Sequence, residues 1–308
     1  MWEIFLKTVP FFALIGCGYG AAISGLFRGE AVAHLTKFVF YFALSAMLFR
    51  FASSLSLAEI YEPNFVAAYT LASLAVYALV TAVALFRGIS VAEASVEAQC
   101  SVIANVGFLG LPMLVLLWGE AVAGPLLMLL TIDLILFGGL IVIIITASRG
   151  RFGWGTLGTV LGGLARNPMI LAMIAGLAWS TAGLTQPRPM QEFLALMGAA
   201  ATPCALFAIG ASLAGRSAER FSVALWLSSA KLVLHPAAVA LAALVLFPVE
   251  PFAAAVMIAC AAMPTAGNIY IIAQHYGVAP TRVSSTILVS TVISVATLSL
   301  VIAAVSPI

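Results

Sequence analysis

Apolar residues run through this chain in stretches of roughly 20, and charge, proline or glycine punctuates them. Stretches bounded in this way lie near residues 8–27, 36–55, 64–86, 98–117 and 121–147, and, after a polar interval, near 168–184, 191–214, 222–247, 252–275 and 282–306. About 20 residues is the length an α-helix needs to cross a hydrocarbon layer about 30 Å thick. The pattern predicts an all-α membrane protein of ten helices, five on each side of the interval. That interval, 148–167, carries glycines and arginines and is the predicted linker between a first five-helix unit (1–147) and a second (168–308).

Composition sharpens the class. Of 308 residues 64% are hydrophobic and 8% charged, and the mean hydropathy is +1.18. Soluble domains average roughly 45–50% apolar and about 25% charged, so a water-soluble fold is excluded. The net charge of +2 and the lack of basic residues interleaved with aromatics exclude nucleic acid as a partner. Cys17, Cys100, Cys204 and Cys260 sit inside apolar runs without a CxxC spacing, which argues against a disulfide framework or a metal knuckle. The first run reads as a span, because Glu3 dilutes its basic end and glycines at 16, 18 and 20 interrupt its apolar stretch.

Lysine and arginine concentrate on the cytoplasmic side of membrane proteins. Loops after spans one, three, five, seven and nine hold Arg28, Lys37, Arg87, Arg149, Arg151, Arg166, Arg216, Arg220 and Arg282, while the opposite side holds little beyond Lys7 and Arg188. Both termini are therefore expected outside, and the linker inside. Five spans per unit then give the two units opposite orientations, the arrangement of an inverted repeat.

The fourth span of each unit carries unusual punctuation. Span four reads Asn105-Val-Gly107-Phe-Leu-Gly110-Leu-Pro112 and span nine reads Met263-Pro264-Thr265-Ala-Gly267-Asn268. Proline removes a backbone donor and displaces the carbonyl four residues back, and in hydrocarbon the freed groups must find protein, water or ligand. Matched interruptions in two halves mark a transporter's binding site. A packing kink explains either one alone. The pair, each with an asparagine, favours a functional break, with Asn105, Gly107, Pro112, Pro264, Thr265 and Asn268 as candidate substrate-facing residues.

These motifs, with Arg166-Asn167-Pro168, Pro203-Cys-Ala-Leu-Phe-Ala-Ile-Gly-Ala-Ser-Leu213 and Ala273-Gln-His-Tyr-Gly277, resemble the auxin efflux carrier family, which includes plant auxin carriers and bacterial permeases, some annotated for malonate. The resemblance covers nearly the whole chain in order. It implies two inverted five-helix repeats related to sodium/proton antiporters, with spans one, two, six and seven as a scaffold. Spans three to five and eight to ten would form a transport domain in which broken helices four and nine cross. The short central linker departs from the plant carriers and points to a bacterial member in the cytoplasmic membrane. The resemblance also leaves a homodimer open.

Ionisable groups within spans are costly and hence functional candidates. Asp133, the chain's sole aspartate, lies in span five; Lys231 and His235 lie four apart in span eight and share a face. Asp133 and Lys231 are expected to approach each other, either as a static pair or as a centre coupling transport to H+ or Na+. Arg50 is expected to snorkel to the interface, and Glu93 and Glu97 to form a solvated first turn before span four. A buried cation, or the positive ends of half-helices, would suit a small carboxylate such as malonate, or an auxin-like weak acid. No HExxH or Walker-type loop is present, so neither enzyme chemistry nor a cofactor is expected. A channel is the alternative to a carrier.

Overall fold

Three helices begin on the same local chemistry, a proline in the first turn and a side-chain acceptor just before it. Proline lacks only a donor that the first turn cannot use, and the acceptor satisfies amides exposed there. Glu62 receives the amide of Phe65 at 3.1 Å before Pro63. Asn167 receives those of Met169 and Ile170 at 3.0 and 3.4 Å before Pro168. Glu250 receives those of Phe252 and Ala253 at 3.0 and 2.8 Å before Pro251.

The computed structural model describes residues 2–27, 29–54, 61–149, 155, 158, 161–162, 165–214 and 221–306, with side chains from residue 9 onward. In chain order the helices are α1 (Trp2–Ile23), α2 (Gly29–Ala52), α3 (Pro63–Phe86), α4a (Val91–Val102), α4b (Val106–Trp118), α5 (Glu120–Ser148), α6 (Pro168–Thr181), α7 (Arg188–Leu213), α8 (Phe221–Leu246), α9a (Pro251–Ala261), α9b (Asn268–Tyr276) and α10 (Pro280–Val305). Among the described residues there is no strand, and six helices, α2, α3, α5, α7, α8 and α10, are long and apolar enough to cross a membrane. The runs expected as spans four and nine are each interrupted, and α6, at 14 residues, reaches about 21 Å at 1.5 Å per residue. The linker expected over 148–167 lies largely outside the described residues. So do Arg28, Arg151, Arg216 and Arg220, which carried part of the orientation argument.

Helix α4a begins seven residues before the run expected from position 98. Ser90 and Glu93 form a capping box there, and the Glu93 side chain stays 36% exposed. Glu97 is fully buried, which corrects the expectation of a solvated carboxylate at that position. Two arginines from neighbouring helices neutralise it, as described below. Arg50, expected at the interface, pairs with Glu120 at 2.6 Å and so ties the end of α2 to the start of α5.

Two helix pairs pack backbone to backbone. In lipid, small residues allow such approach and the dense contact replaces the missing hydrophobic drive. A Cβ added to Gly18 of α1 would stand 2.0 Å from the Phe207 carbonyl oxygen of α7, and one added to Gly210 of α7 would stand 1.8 Å from that of Ile15 in α1. Gly176 of α6 meets α2 in the same manner, 2.8 Å from the Phe49 carbonyl oxygen. None of these backbones can yield without separating the helices. Gly210→Ala is expected to cost about 1–3 kcal/mol of stability by overpacking, read as a lower unfolding midpoint of the purified protein. Gly16→Ala, where a Cβ meets nothing within 4 Å, should leave the midpoint in place; equal midpoints for the two variants would contradict the assignment.

Candidate functional site

The two interruptions meet. The amide of Asn105 donates to the Pro264 carbonyl at 2.9 Å and that of Ala266 to the Ile103 carbonyl at 3.1 Å, so Ala104 and Thr265 form an isolated antiparallel bridge. Each break thus supplies the partners that the other lacks, as backbone in a water-free layer requires. The Thr265 hydroxyl donates to the Cys100 carbonyl of α4a at 2.8 Å, and its amide to Ser290 Oγ of α10 at 3.2 Å. A wide π turn over Val106–Gly110 then restarts the helix and sets Pro112 in the first turn of the regular α segment, where its missing donor is harmless.

The sequence-derived residues are distributed unevenly around this junction. Asn105 is 8% exposed, and among the described residues its side chain makes no hydrogen bond. Gly107 and Pro112 are buried on the α4 side, Pro264 and Thr265 on the α9 side, while Asn268 is exposed at the start of α9b. Two close approaches explain the glycines. A Cβ on Gly110 would stand 2.7 Å from Met263 Sδ, and one on Gly107 would stand 3.0 Å from Met169 Cε of α6.

Behind the junction lies a buried polar cluster. Lys231 of α8, wholly buried, donates through Nζ to the Ala261 carbonyl. That carbonyl ends α9a; its ordinary helical partner would be the Thr265 amide, which is turned to Ser290. A cation thus sits on the negative end of a half-helix. Lys231 Nζ also lies 3.2 Å from His235 Nδ1, and His235 Nε2 lies 2.9 Å from Ser73 Oγ of α3. Tyr69, one turn before Ser73, donates its hydroxyl to Asp133 Oδ1 of α5 at 2.9 Å. Asp133 and Lys231 interact electrostatically, yet no direct pair within 4.0 Å forms, because Tyr69 holds the carboxylate and the helix end holds the ammonium. Asp133 and Lys231 each sit in a π turn, Ile132–Phe137 and Ala230–Leu234, a distortion common at functional sites.

A second buried charge set lies at the start of α4a. Glu97 takes Arg87 at 2.7 and 3.4 Å and Arg282 at 2.8 Å, and Arg282 also reaches Glu93 at 3.4 Å. This network fastens the end of α3 and the start of α10 to α4a. Sequence reasoning singled out neither Glu97 as buried nor Tyr69 and Ser73 as partners. The available signal was the i,i+4 spacing of Tyr69 and Ser73 in an otherwise apolar span, together with Arg87 and Glu97 flanking one loop.

The profile of the family described as "Membrane transport protein" matches residues 3–152 and 153–302. The chain belongs to that membrane transport protein family. It is also 33% identical to a protein of Rhizobium meliloti (strain 1021) named "Putative malonate transporter", over 305 residues that cover 97% of this chain and 95% of that one. Membership bears out the resemblance to the auxin efflux carriers and makes this a multi-pass membrane transporter.

In this transporter the buried Glu97 is paired with Arg87 and Arg282. Glu97→Gln leaves Arg282 short of a counter-charge and is expected to cost about 3–5 kcal/mol, the scale of a broken buried pair. The exposed pair Arg188–Glu192, with side chains 89% and 62% exposed, should contribute about 0–1 kcal/mol. Thermal unfolding of Glu97→Gln and Glu192→Gln checks this; a larger loss at Glu192 would contradict it.

Proposed function

We propose that this transporter is a secondary carrier that moves a small organic anion, a carboxylate such as malonate or an auxin-like weak acid, by alternating access where α4 and α9 meet. The observation that carries the reading is the joined pair of helix breaks beside Asn105, a residue 8% exposed whose side-chain amide makes no hydrogen bond among the described residues. That side-chain amide is free to donate to a carboxylate. The starts of α4b and α9b direct the positive ends of their dipoles toward the same junction. Asn268, exposed at the start of α9b, offers a second amide. Gly107, Pro112, Pro264 and Thr265 give the surface its shape. The name of the Rhizobium meliloti relative supports malonate as the first substrate to try.

In this reading the chain forms two inverted repeats. Helices α1, α2, α6 and α7 make the scaffold, and α3 to α5 with α8 to α10 make the moving domain. The reciprocal close packing of α1 on α7 and of α6 on α2 supports it, since an inverted repeat equates α1 with α6 and α2 with α7. The outside location of both termini in a cytoplasmic membrane is supported by three arginines from loops after odd-numbered spans. Arg87 and Arg282 meet on Glu97, and Arg149 at the end of α5 donates to the Tyr276 carbonyl at the end of α9b, so these loops gather at one end. Asp133, Lys231 and His235 couple the movement of the anion to an ion.

Flux into liposomes distinguishes a carrier from a channel. Saturable malonate uptake, accelerated by malonate on the far side, is expected; an unsaturated ohmic current would contradict alternating access. Asn105→Ala removes a hydrogen bond to a charged group, worth about 1.5–3 kcal/mol, and should weaken malonate binding about 10- to 100-fold. Unchanged binding would remove Asn105 from the site.

A further inference from the structure

The buried charges of Asp133 and Lys231 do not touch, and what lies between them is a file of groups that can each accept and give a proton. A lysine ammonium has donors only. In its contact with Lys231 Nζ, His235 Nδ1 must therefore accept, which leaves the imidazole proton on Nε2 to donate to Ser73 Oγ. Ser73 lies one turn after Tyr69 on the same face of α3, and Tyr69 donates to Asp133 Oδ1. The donors of both hydrogen-bonded segments, Lys231–His235–Ser73 and Tyr69–Asp133, point from Lys231 toward Asp133.

We propose that Tyr69, Ser73 and His235 form a proton relay between Lys231 and Asp133, which turns the buried charge pair into a neutral pair without displacing either end. The functional consequence rests on the carrier reading above: the proton is the coupling ion. In the transfer, Lys231 gives one proton to His235 Nδ1 and His235 Nε2 gives one to Ser73. Ser73 gives one to Tyr69, and Tyr69 gives one to Asp133 Oδ1. One N–H or O–H bond breaks and one forms at each intermediate, so the hydrogen bonds of both segments end reversed and none of them is lost.

Three features favour such a file over a fixed ion pair. Tyr69, Ser73, Lys231 and His235 are wholly buried and Asp133 is 5% exposed, so the file is shielded from bulk water. Asp133 Oδ2 has no donor, a deficiency that a neutral carboxyl tolerates better than a carboxylate. Lys231 keeps N–H groups after giving up one proton, so the Ala261 carbonyl at the end of α9a keeps its donor in either arrangement. The titratable groups facing the file are Tyr69 on α3, Asp133 on α5, Lys231 and His235 on α8, and Cys260 on α9a. Since Ala261 closes the half-helix that borders the junction, the charge state of the file is felt at the proposed anion site.

The test uses the full chain in liposomes with malonate as probe, and compares exchange of labelled malonate with accumulation driven by a pH gradient. Tyr69→Phe and Ser73→Ala are each expected to retain exchange and to lose gradient-driven accumulation by at least about tenfold, the scale of a missing proton-transfer group. Ser73→Thr, which restores a hydroxyl, is expected to recover it. Accumulation that persists in both deletion variants, or Ser73→Thr behaving as Ser73→Ala, overturns the relay. So does a wild-type protein that exchanges malonate yet gains nothing from the gradient, although carriage itself then stands. If no carboxylate is exchanged, the carrier reading falls, and infrared spectra of the purified protein still decide the relay. A carboxylic acid band lost in Asp133→Asn and shifted in Tyr69→Phe supports it, and no such band in the wild type at any pH where the protein is folded overturns it.

Discussion

Backbone groups freed from a helix inside a membrane have no water to turn to, and the arrangement of this protein follows from how two such breaks are satisfied. The carbonyls of Ile103 and Pro264 and the amides of Asn105 and Ala266 answer one another across the junction of α4 and α9. Thr265 and Ser290 take up further groups, and Lys231 takes the last carbonyl of α9a. The site is therefore a consequence of covalent chemistry. Pro264 denies α9 a donor of its own, and neighbouring segments bring donors to that break, Lys231 to the Ala261 carbonyl and Asn105 to the Pro264 carbonyl.

That requirement accounts for charges that would otherwise be unwelcome. Lys231 is drawn to the negative end of α9a, so a counter-charge is needed nearby, and Asp133 provides it through Tyr69 instead of by contact. Glu97 plays a comparable part at the start of α4a, where Arg87 and Arg282 fix the neighbouring helices to the first half of the broken span. Close glycine contacts hold α1 to α7 and α2 to α6 without any charge. The buried polar groups of α4 and α9 are thus gathered around the breaks, while the close contacts of α1 with α7 and of α2 with α6 are made by glycines.

Much of this was legible in the sequence because hydrocarbon imposes a simple rule. Runs of about 20 apolar residues, two proline-containing interruptions and three isolated ionisable residues each have a narrow set of meanings in lipid. The helix starts at Pro63, Pro168 and Pro251 were legible for the same reason, since each follows a side chain able to cap. Less legible was anything set by partners distant in the chain. Glu97 resembles a surface carboxylate until Arg282, 185 positions later, is placed on it. Asp133 and Lys231 look like a simple pair until Tyr69 and the end of α9a compete for them. Thr265, read as facing substrate, directs its hydroxyl to Cys100, a partner that no local spacing announces.

If an anion occupies the junction of the two breaks, hydrogen exchange of the purified protein with and without malonate reveals it, because backbone amides near a bound carboxylate open less often. Added protection is expected to concentrate in residues 103–110 and 264–269. Protection confined to other helices, with both of these segments unchanged, would contradict that occupancy.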